Sequence, residues 1–379
     1  MHFIIDKSQL MNGIQHVNKA VSTKTTIPIL TGIKFDLTAE GLTLIGSDSD
    51  ISIQIFIPKI DQEKEYVKIY QEGKIVLPAK YIVEIVKKLP SDEIEFEQTD
   101  HLSVIIRSGR TEFRLNGYDA EEFPNLPQIE EEQVFKIQSD LLKSMIRQTL
   151  FAVHTLESRP ILTGVLWELE NHMLKFVATD SHRLATRTSM VETLNDTTFH
   201  NIVVPGKSLN ELSKILEDEP TTVQIIVTEN QIQVKMKHLL FYSRLLDGTY
   251  PDTSRIIPDK FKTNLILSKQ EFADAIERAL LIAKDDKNNI VKFTTQEHLM
   301  VELSSNSQEV GHVTEQIQAN EIDGDQIKIS FNAKYVLEAL KAIDSQEIRI
   351  EFTGALSPFV IKPVDHDWAL HLILPVRTY

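Results

Sequence analysis

At 379 residues the chain exceeds what one ordinary core of about 150 residues accommodates, so two or three domains are expected. Hydrophobic residues at 42% and charged residues at 25% are those of a globular protein, and the absence of Cys removes disulfides, thiolate metal sites and Cys nucleophiles together. A formal net charge of −15 excludes a uniformly basic nucleic-acid binder, so any contact with a polyanion must come from where the 40 basic residues are placed.

The opening Met1-His2-Phe3-Ile4-Ile5-Asp6-Lys7 lacks the basic segment and long apolar run of a secretory signal. No apolar stretch approaches the length of a membrane span, and a cytoplasmic location is expected. From Ser8 to Val21, Leu10, Ile14 and Val17 take helical steps. Helices of the same type are expected from Asp140 through Ile146 to Val153 and from Gln270 through Ile276 to Ile282. After the first comes Pro28-Ile29-Leu30-Thr31-Gly32-Ile33, and 132 residues later Pro160-Ile161-Leu162-Thr163-Gly164-Val165 repeats five of its six residues. The same offset carries Ser47-Asp48-Ser49-Asp50 to Thr179-Asp180-Ser181-His182. The third copy has diverged, with Ile290-Val291-Lys292-Phe293 and Ser305-Asn306-Ser307 in the matching places.

A second helix type recurs at a fixed interval of 127 residues, beginning at Pro78, Pro205 and Asn332. Ile82/Ile85/Val86/Leu89, Leu209/Leu212/Leu216 and Leu337/Leu340/Ile343 line one face of each copy. On the other face Lys80, Lys207 and Lys334 are in register, as are Glu84, Glu211 and Glu338, and then Lys87, Lys214 and Lys341. Lys minus Glu gives +2, +1 and +1 for the three segments, against an acidic background. Such a face is ordinarily a solvated one with Lys/Glu neighbours; its threefold recurrence points to one polyanion-facing surface built three times.

Between the helices, period-two runs such as Ile51–Ile57, Val223–Val227 and Ile348–Phe352 are β-rich and divided by Gly and Asn/Asp turns. The fold class is α+β: three repeated modules of two helices packed on antiparallel sheets. Joins fall at Pro124-Asn125-Leu126-Pro127 and Tyr250-Pro251-Asp252-Thr253, giving modules 1–127, 128–253 and 254–379.

Several motifs suggest chemistry. Pro205-Gly206-Lys207-Ser208 resembles the end of a phosphate-binding loop, but Asn201 stands where its first Gly belongs and Pro205 removes an amide. Asp48, Asp50 and Asp180 permit an alternative, a metal-dependent nuclease or phosphotransferase, against the plainer reading of Asp/Ser turns bonding their own backbone. The 12 His form no His-Glu-x-x-His pattern and there is no Gly-x-Ser-x-Gly elbow, so no catalytic residue and no metal site is assigned. Arg183 and Arg187, with Arg107, Arg110 and Arg114, are expected to be mostly surface charges.

The three two-helix modules, Pro28-Ile29-Leu30, Thr179-Asp180-Ser181-His182-Arg183-Leu184-Ala185 and the ending Leu374-Pro375-Val376-Arg377 together closely resemble the bacterial sliding clamps, the beta subunits of DNA polymerase III, over the full length. The resemblance implies a non-catalytic head-to-tail homodimer forming a six-module ring that encircles double-stranded DNA without sequence preference and tethers the replicative polymerase, with no cofactor. It implies DNA-facing roles for Lys80, Lys87, Lys207, Lys214, Lys334 and Lys341, joined by Lys24 and Arg159 in the loops before the two Pro-Ile-Leu segments. It also implies a pocket for short peptides of the polymerase, the clamp loader and repair proteins (repair polymerases, ligase, mismatch repair). That pocket comprises Leu162, Thr179, Ser181, His182, Arg183, Leu184, Pro251, Arg255, Ile256, Asn332, Tyr335, Leu356, Pro358, Leu374, Pro375, Val376 and Arg377. Departures from the family pattern are Ser181 where many members have Gly, Pro358 where some have Ser, and the extra Thr378-Tyr379. For the dimer interface the resemblance implies Phe113 packing against Leu281 and Ile282 of the partner.

Overall fold

The computed structural model describes residues 1–379 except 23–24, 128, 130–132, 157, 194–196, 285–288 and 378–379. Its helices are α1 (Lys7–Val17), α2 (Ala79–Lys88), α3 (Ser139–Leu150), α4 (Gly206–Ser213), α5 (Lys269–Ala283) and α6 (Ala333–Ala342). The chain divides into two compact units, Met1–Ser139 with Lys214–Leu245 and Asp140–Ser213 with Leu246–Tyr379. Among the described residues no helix is long and apolar enough to cross a membrane.

In the first unit one antiparallel sheet runs in the order Thr111–Asn116, Ser103–Ser108, Glu93–Asp100, His2–Asp6, Val67–Gln71. A second contains, side by side, Gln133–Gln138, Thr222–Val227, Gln231–Lys235, Leu239–Arg244, Ile51–Pro58, Gly41–Ser47, Gly32–Thr38 and Gly73–Pro78. Ile51–Pro58 alternates strictly between buried and half-buried residues, as a strand with one face on a helix should, and α1 packs on that face. Asp6 caps α1 through its side chain, and Lys7 Nζ donates to the Leu89 carbonyl at 2.5 Å, satisfying an orphan acceptor at the end of α2.

In the second unit a nine-stranded antiparallel sheet takes the order Phe199–Pro205, Gly164–Glu170, Met173–Thr179, Arg183–Met190, Ala369–Ile373, Phe359–Pro363, Glu347–Phe352, Thr263–Ser268, Glu321–Gly324. A four-stranded sheet runs Gly311–Gln318, Met300–Ser307, Ile290–Thr295, Lys328–Asn332. Phe272, Phe293, Phe331, Phe352 and Phe359 form the centre of a core closed by α5 and α6. Lys269 Nζ donates to the Ile343 carbonyl at 2.9 Å, the same device as Lys7 with Leu89.

The repeat is visible in the pairing. Gly32–Thr38 lies between Gly41–Ser47 and Gly73–Pro78; Gly164–Glu170 lies between Met173–Thr179 and Phe199–Pro205; Ile290–Thr295 lies between Met300–Ser307 and Lys328–Asn332. The divergent third copy therefore keeps the strand order. The structure adds one feature and corrects one expectation. Each first helix is preceded by a strand (His2–Asp6, Gln133–Gln138, Thr263–Ser268) that runs into the helix without a break, so no turn residue marks it in the sequence. The α4 copy stops at Ser213, where Ser213 Oγ bonds the Asn210 carbonyl and competes with helix continuation, so Lys214 follows the helix; Ile215 and Leu216 stay buried all the same.

Candidate nucleic-acid-facing helices and peptide pocket

The apolar positions of the repeated helix turn inward as expected: Ile82, Val86, Leu89, Leu209, Leu212, Leu216, Leu337, Leu340 and Ile343 are buried, and Ile85 is half-buried. The opposite face leaves Lys80, Lys87, Lys207, Lys214, Lys334 and Lys341 exposed. Their surroundings differ. Lys80 Nζ lies 5.6 Å from the centre of the Tyr81 ring, Lys334 is 3.9 Å from Glu338, and Lys341 is 2.8 Å from Glu277 of α5. The Lys341 hydrogen bond holds the Glu277 carboxyl below its ordinary range. Arg159 is exposed and donates from Nη1 to Ser181 Oγ at 2.7 Å. Lys24 lies outside the described residues.

Gly206, in the segment that resembled a phosphate loop, has a packing reason. A Cβ there would stand 2.7 Å from the Thr163 carbonyl oxygen, whereas the other two copies have room for Ala79 and Ala333.

The carboxylates of the alternative nuclease reading are used locally. Asp48 Oδ1 accepts from the amides of Asp50 and Ile51 at 3.0 and 2.8 Å. Asp180 Oδ1 accepts from His182 and Arg183 at 2.9 and 3.0 Å. Both are Asx turns, and among the described residues no group of three His, Cys, Asp or Glu is placed to hold a metal ion. In each turn a serine takes a left-handed conformation, Ser49 at φ 80° and Ser181 at φ 77°. Gly adopts that geometry without strain, which is the physical reason a Gly suits position 181.

Around the second turn the structure assembles many of the residues assigned to the peptide pocket. Thr179 Oγ1 donates to the Arg183 carbonyl and accepts from the Ser181 amide, while the Thr179 amide donates to the Tyr250 hydroxyl at 3.0 Å. Below the turn, Leu162 and Leu184 form one buried cluster with Tyr250, Val360 and Leu372. Burial raises the Tyr250 hydroxyl above its usual range, keeping it neutral. The His182 ring is exposed and stacks on Tyr335, 6.4 Å centre to centre and 19° between planes. The chain end is tied across this region by its backbone: Leu374 N donates to the His182 carbonyl at 3.0 Å and Val376 N to that of Ser330 at 2.8 Å. Leu374 keeps an exposed side chain, Pro375 and Val376 are half-buried, and Arg377 is exposed.

Pro251, Arg255 and Ile256 are exposed on the segment after Tyr250, where Asp252 Oδ1 accepts from the Ser254 amide at 2.9 Å and Arg255 Nε is 3.6 Å from Asp252. Leu356 is exposed and Pro358 half-buried in the turn leading to Val360. Asn332 caps α6, its Oδ1 accepting from Lys334 N at 3.0 Å. Phe113 and Leu281 are exposed and Ile282 half-buried.

Two arginines depart from expectation. Arg183 is 9% exposed: it pairs with Asp180 at 3.0 Å, binds the Glu338 carboxylate and the Phe151 carbonyl, and lies 4.5 Å from the Tyr335 ring centre. It holds the turn to α6 rather than presenting its charge to solvent. Arg187, four residues later and therefore on the same face of the strand, is also buried. Both were expected at the surface because a charged residue on a half-buried strand reads as outward-facing. Tyr250, Val360 and Leu372, which lie in the cluster beneath the turn, were not singled out as site residues from the sequence; Phe359–Pro363 is buried at four of its five positions, so no alternation marks Val360.

Models of the DNA polymerase III beta subunit match the chain in three consecutive parts: the N-terminal domain over residues 1–127, the central domain over 136–252 and the C-terminal domain over 254–377. The beta sliding clamp of Bacillus subtilis (strain 168) is 52% identical over 379 residues, and that of Halalkalibacterium halodurans 50% over 380, each alignment covering 100% of both chains. The crystal structure of the Bacillus subtilis DNA polymerase sliding clamp superposes with a TM-score of 0.97 at 52% identity, again covering 100% of both chains. The chain belongs to the DNA polymerase III beta subunit family, the beta sliding clamps.

Proposed function

We propose that this chain, as a sliding clamp, encircles duplex DNA as a head-to-tail dimer through three modules per subunit, 1–127, 128–253 and 254–379, and tethers the replicative polymerase. It is a processivity subunit and not a catalyst. The observation that carries the ring is a pattern of strand exchange between successive modules. Leu239–Arg244 pairs with Ile51–Pro58, and Ala369–Ile373 pairs with Arg183–Met190, so the last strand of a module continues the sheet of the one before. Two strands in this series remain at sheet edges: Thr111–Asn116, bearing Phe113, and Gly311–Gln318. A second copy supplies the missing neighbour for each, and the partner's α5, with Leu281 and Ile282, is positioned in the same module as Gly311–Gln318 to receive Phe113.

On this reading Lys80, Lys87, Lys207, Lys214, Lys334 and Lys341, with Lys24 and Arg159, face phosphates on the inner surface. Flexible point charges hold a backbone without reading bases, which sliding requires. The Thr179–Leu184 turn, its apolar floor and the Leu374–Arg377 end receive short peptides from the polymerase, the clamp loader and repair proteins, with aliphatic walls for an apolar side chain and the His182 edge for a polar one.

The test is retention on nicked circular DNA after treatment with a cognate clamp loader and ATP, before and after one cut makes the circle linear. Retention on the circle and release from free ends is expected; equal retention on both forms overturns encirclement.

A further inference from the structure

The hairpin Met173–Thr179/Arg183–Met190 carries the peptide-pocket turn at one end, where Thr179 pairs with Leu184. At its other end, where Met173 pairs with Met190, lies a separate recess about 20 Å of strand away. The recess holds about 420 Å³ and is walled by Leu141 of α3, Met173, Arg187, Met190 and Trp368. Three large apolar side chains stand open to solvent there: Met173 is 41% exposed, Met190 60% and Trp368 48%.

Arg187 is the anomaly. It is 6% exposed, and among the described residues its Nε has no hydrogen-bond partner and no carboxylate pairs with it. Its guanidinium carbon lies 5.2 Å from the Trp368 ring centre, and Nη1 donates to the Thr188 carbonyl. Asp344, the acid whose charge favours it, is already held by Arg147 at 2.7 Å and Gln148 at 3.0 Å. Burial accordingly pushes the guanidinium down to about 10. A cation withdrawn from water without an acid is costly, and an apolar side chain would fill the same space without that cost.

We propose that this recess is a second docking site, taking a short peptide segment in which a carboxylate adjoins a large apolar side chain. The carboxylate meets the Arg187 guanidinium, which favours planar acceptors, and the apolar side chain lies over Met173, Met190 and Trp368, whose thioethers adapt to its shape. A wholly apolar partner would bury the cation further without compensating it. Nucleic acid fits less well, because the rim is apolar and no lysine lines the recess. The site is independent of the peptide pocket and of the partners assigned to that pocket.

The experiment uses the full chain with ¹³C-methyl methionine, titrated with the capped peptide Ac-Gly-Phe-Glu-Gly-NH₂ and with its Gln counterpart. The Met173 and Met190 resonances are expected to move with the Glu peptide at an affinity at least tenfold above that for the Gln peptide, and Arg187→Met is expected to remove the difference. Because Arg187 is buried, Met190→Ser, at an exposed position, serves as the second variant and is expected to weaken the Glu peptide at least threefold. Still resonances at Met173 and Met190, equal affinity for the two peptides, or unchanged affinity in Met190→Ser each overturn the proposal.

Discussion

Asp180 binds Arg183 twice, through Oδ2 to Nε at 3.0 Å and through Oδ1 to the backbone amide at 3.0 Å, so one carboxylate fixes both the turn and the buried cation beneath it. Asp180→Ala removes both bonds, leaves Arg183 with Glu338 as its remaining acid, and is expected to cost about 1–3 kcal/mol in urea unfolding. Asp180→Asn, which keeps an acceptor for the amides, is expected to cost less.

His371 sits wholly buried near Arg183 and Phe151, its ring 5.5 Å from that of Phe151 and neither nitrogen hydrogen-bonded among the described residues. Burial first, then the neighbouring Arg183, pushes its imidazole from 6.5 down to about 3. Between those values the unfolded chain binds the extra proton, so this residue's contribution to stability is complete above pH about 6.5 and is lost as pH falls toward 3. His371→Leu is expected to flatten the stability profile over that window and to leave stability at pH 8 unchanged or higher. Denaturant midpoints measured at pH 4.5, 6 and 8 check it.

The chain end contributes backbone bonds and an exposed Leu374 to the proposed pocket. Removing Leu374–Tyr379 is expected to abolish binding of a clamp-binding peptide, measured by fluorescence anisotropy, while dimer mass by sedimentation persists. His182→Ala, which removes the ring stacked on Tyr335, is expected to weaken the same peptide about tenfold; unaltered affinity in both variants would refute the assignment.

Phe113 is a large apolar side chain, 38% exposed on an edge strand. Phe113→Asp and Leu281→Asp each place a charge in the proposed contact and are expected to shift the dimer to monomer in analytical ultracentrifugation without lowering the unfolding midpoint of the monomer.

Among the lysines, Lys87 has no ion pair among the described residues, whereas Lys341 is held by Glu277. Lys87→Ala is therefore expected to lower the slope of log K against log salt for duplex binding by about 1, and Lys341→Ala by less. Equal slopes for the wild type and Lys87→Ala count against the inner-surface assignment.

The modular plan was legible in the sequence because identical side-chain patterns at a fixed interval bury the same faces: Leu209 and Leu337 are core for the same reason as Ile82. The Asx turns were likewise legible, since an Asp two residues before a free amide bonds it wherever the segment lies. What only the tertiary structure decided was the fate of charges. Lys80, Arg183 and Arg187 look alike in a chain, but Lys80 is exposed, Arg183 pairs with Asp180 three residues away and with Glu338 155 residues away in sequence, and Arg187 pairs with no acid among the described residues. Local periodicity reports which face of an element is apolar. The burial and pairing of an ion depend on which distant element is laid over it, and that is set by the packing of α3 and α6 on the sheet.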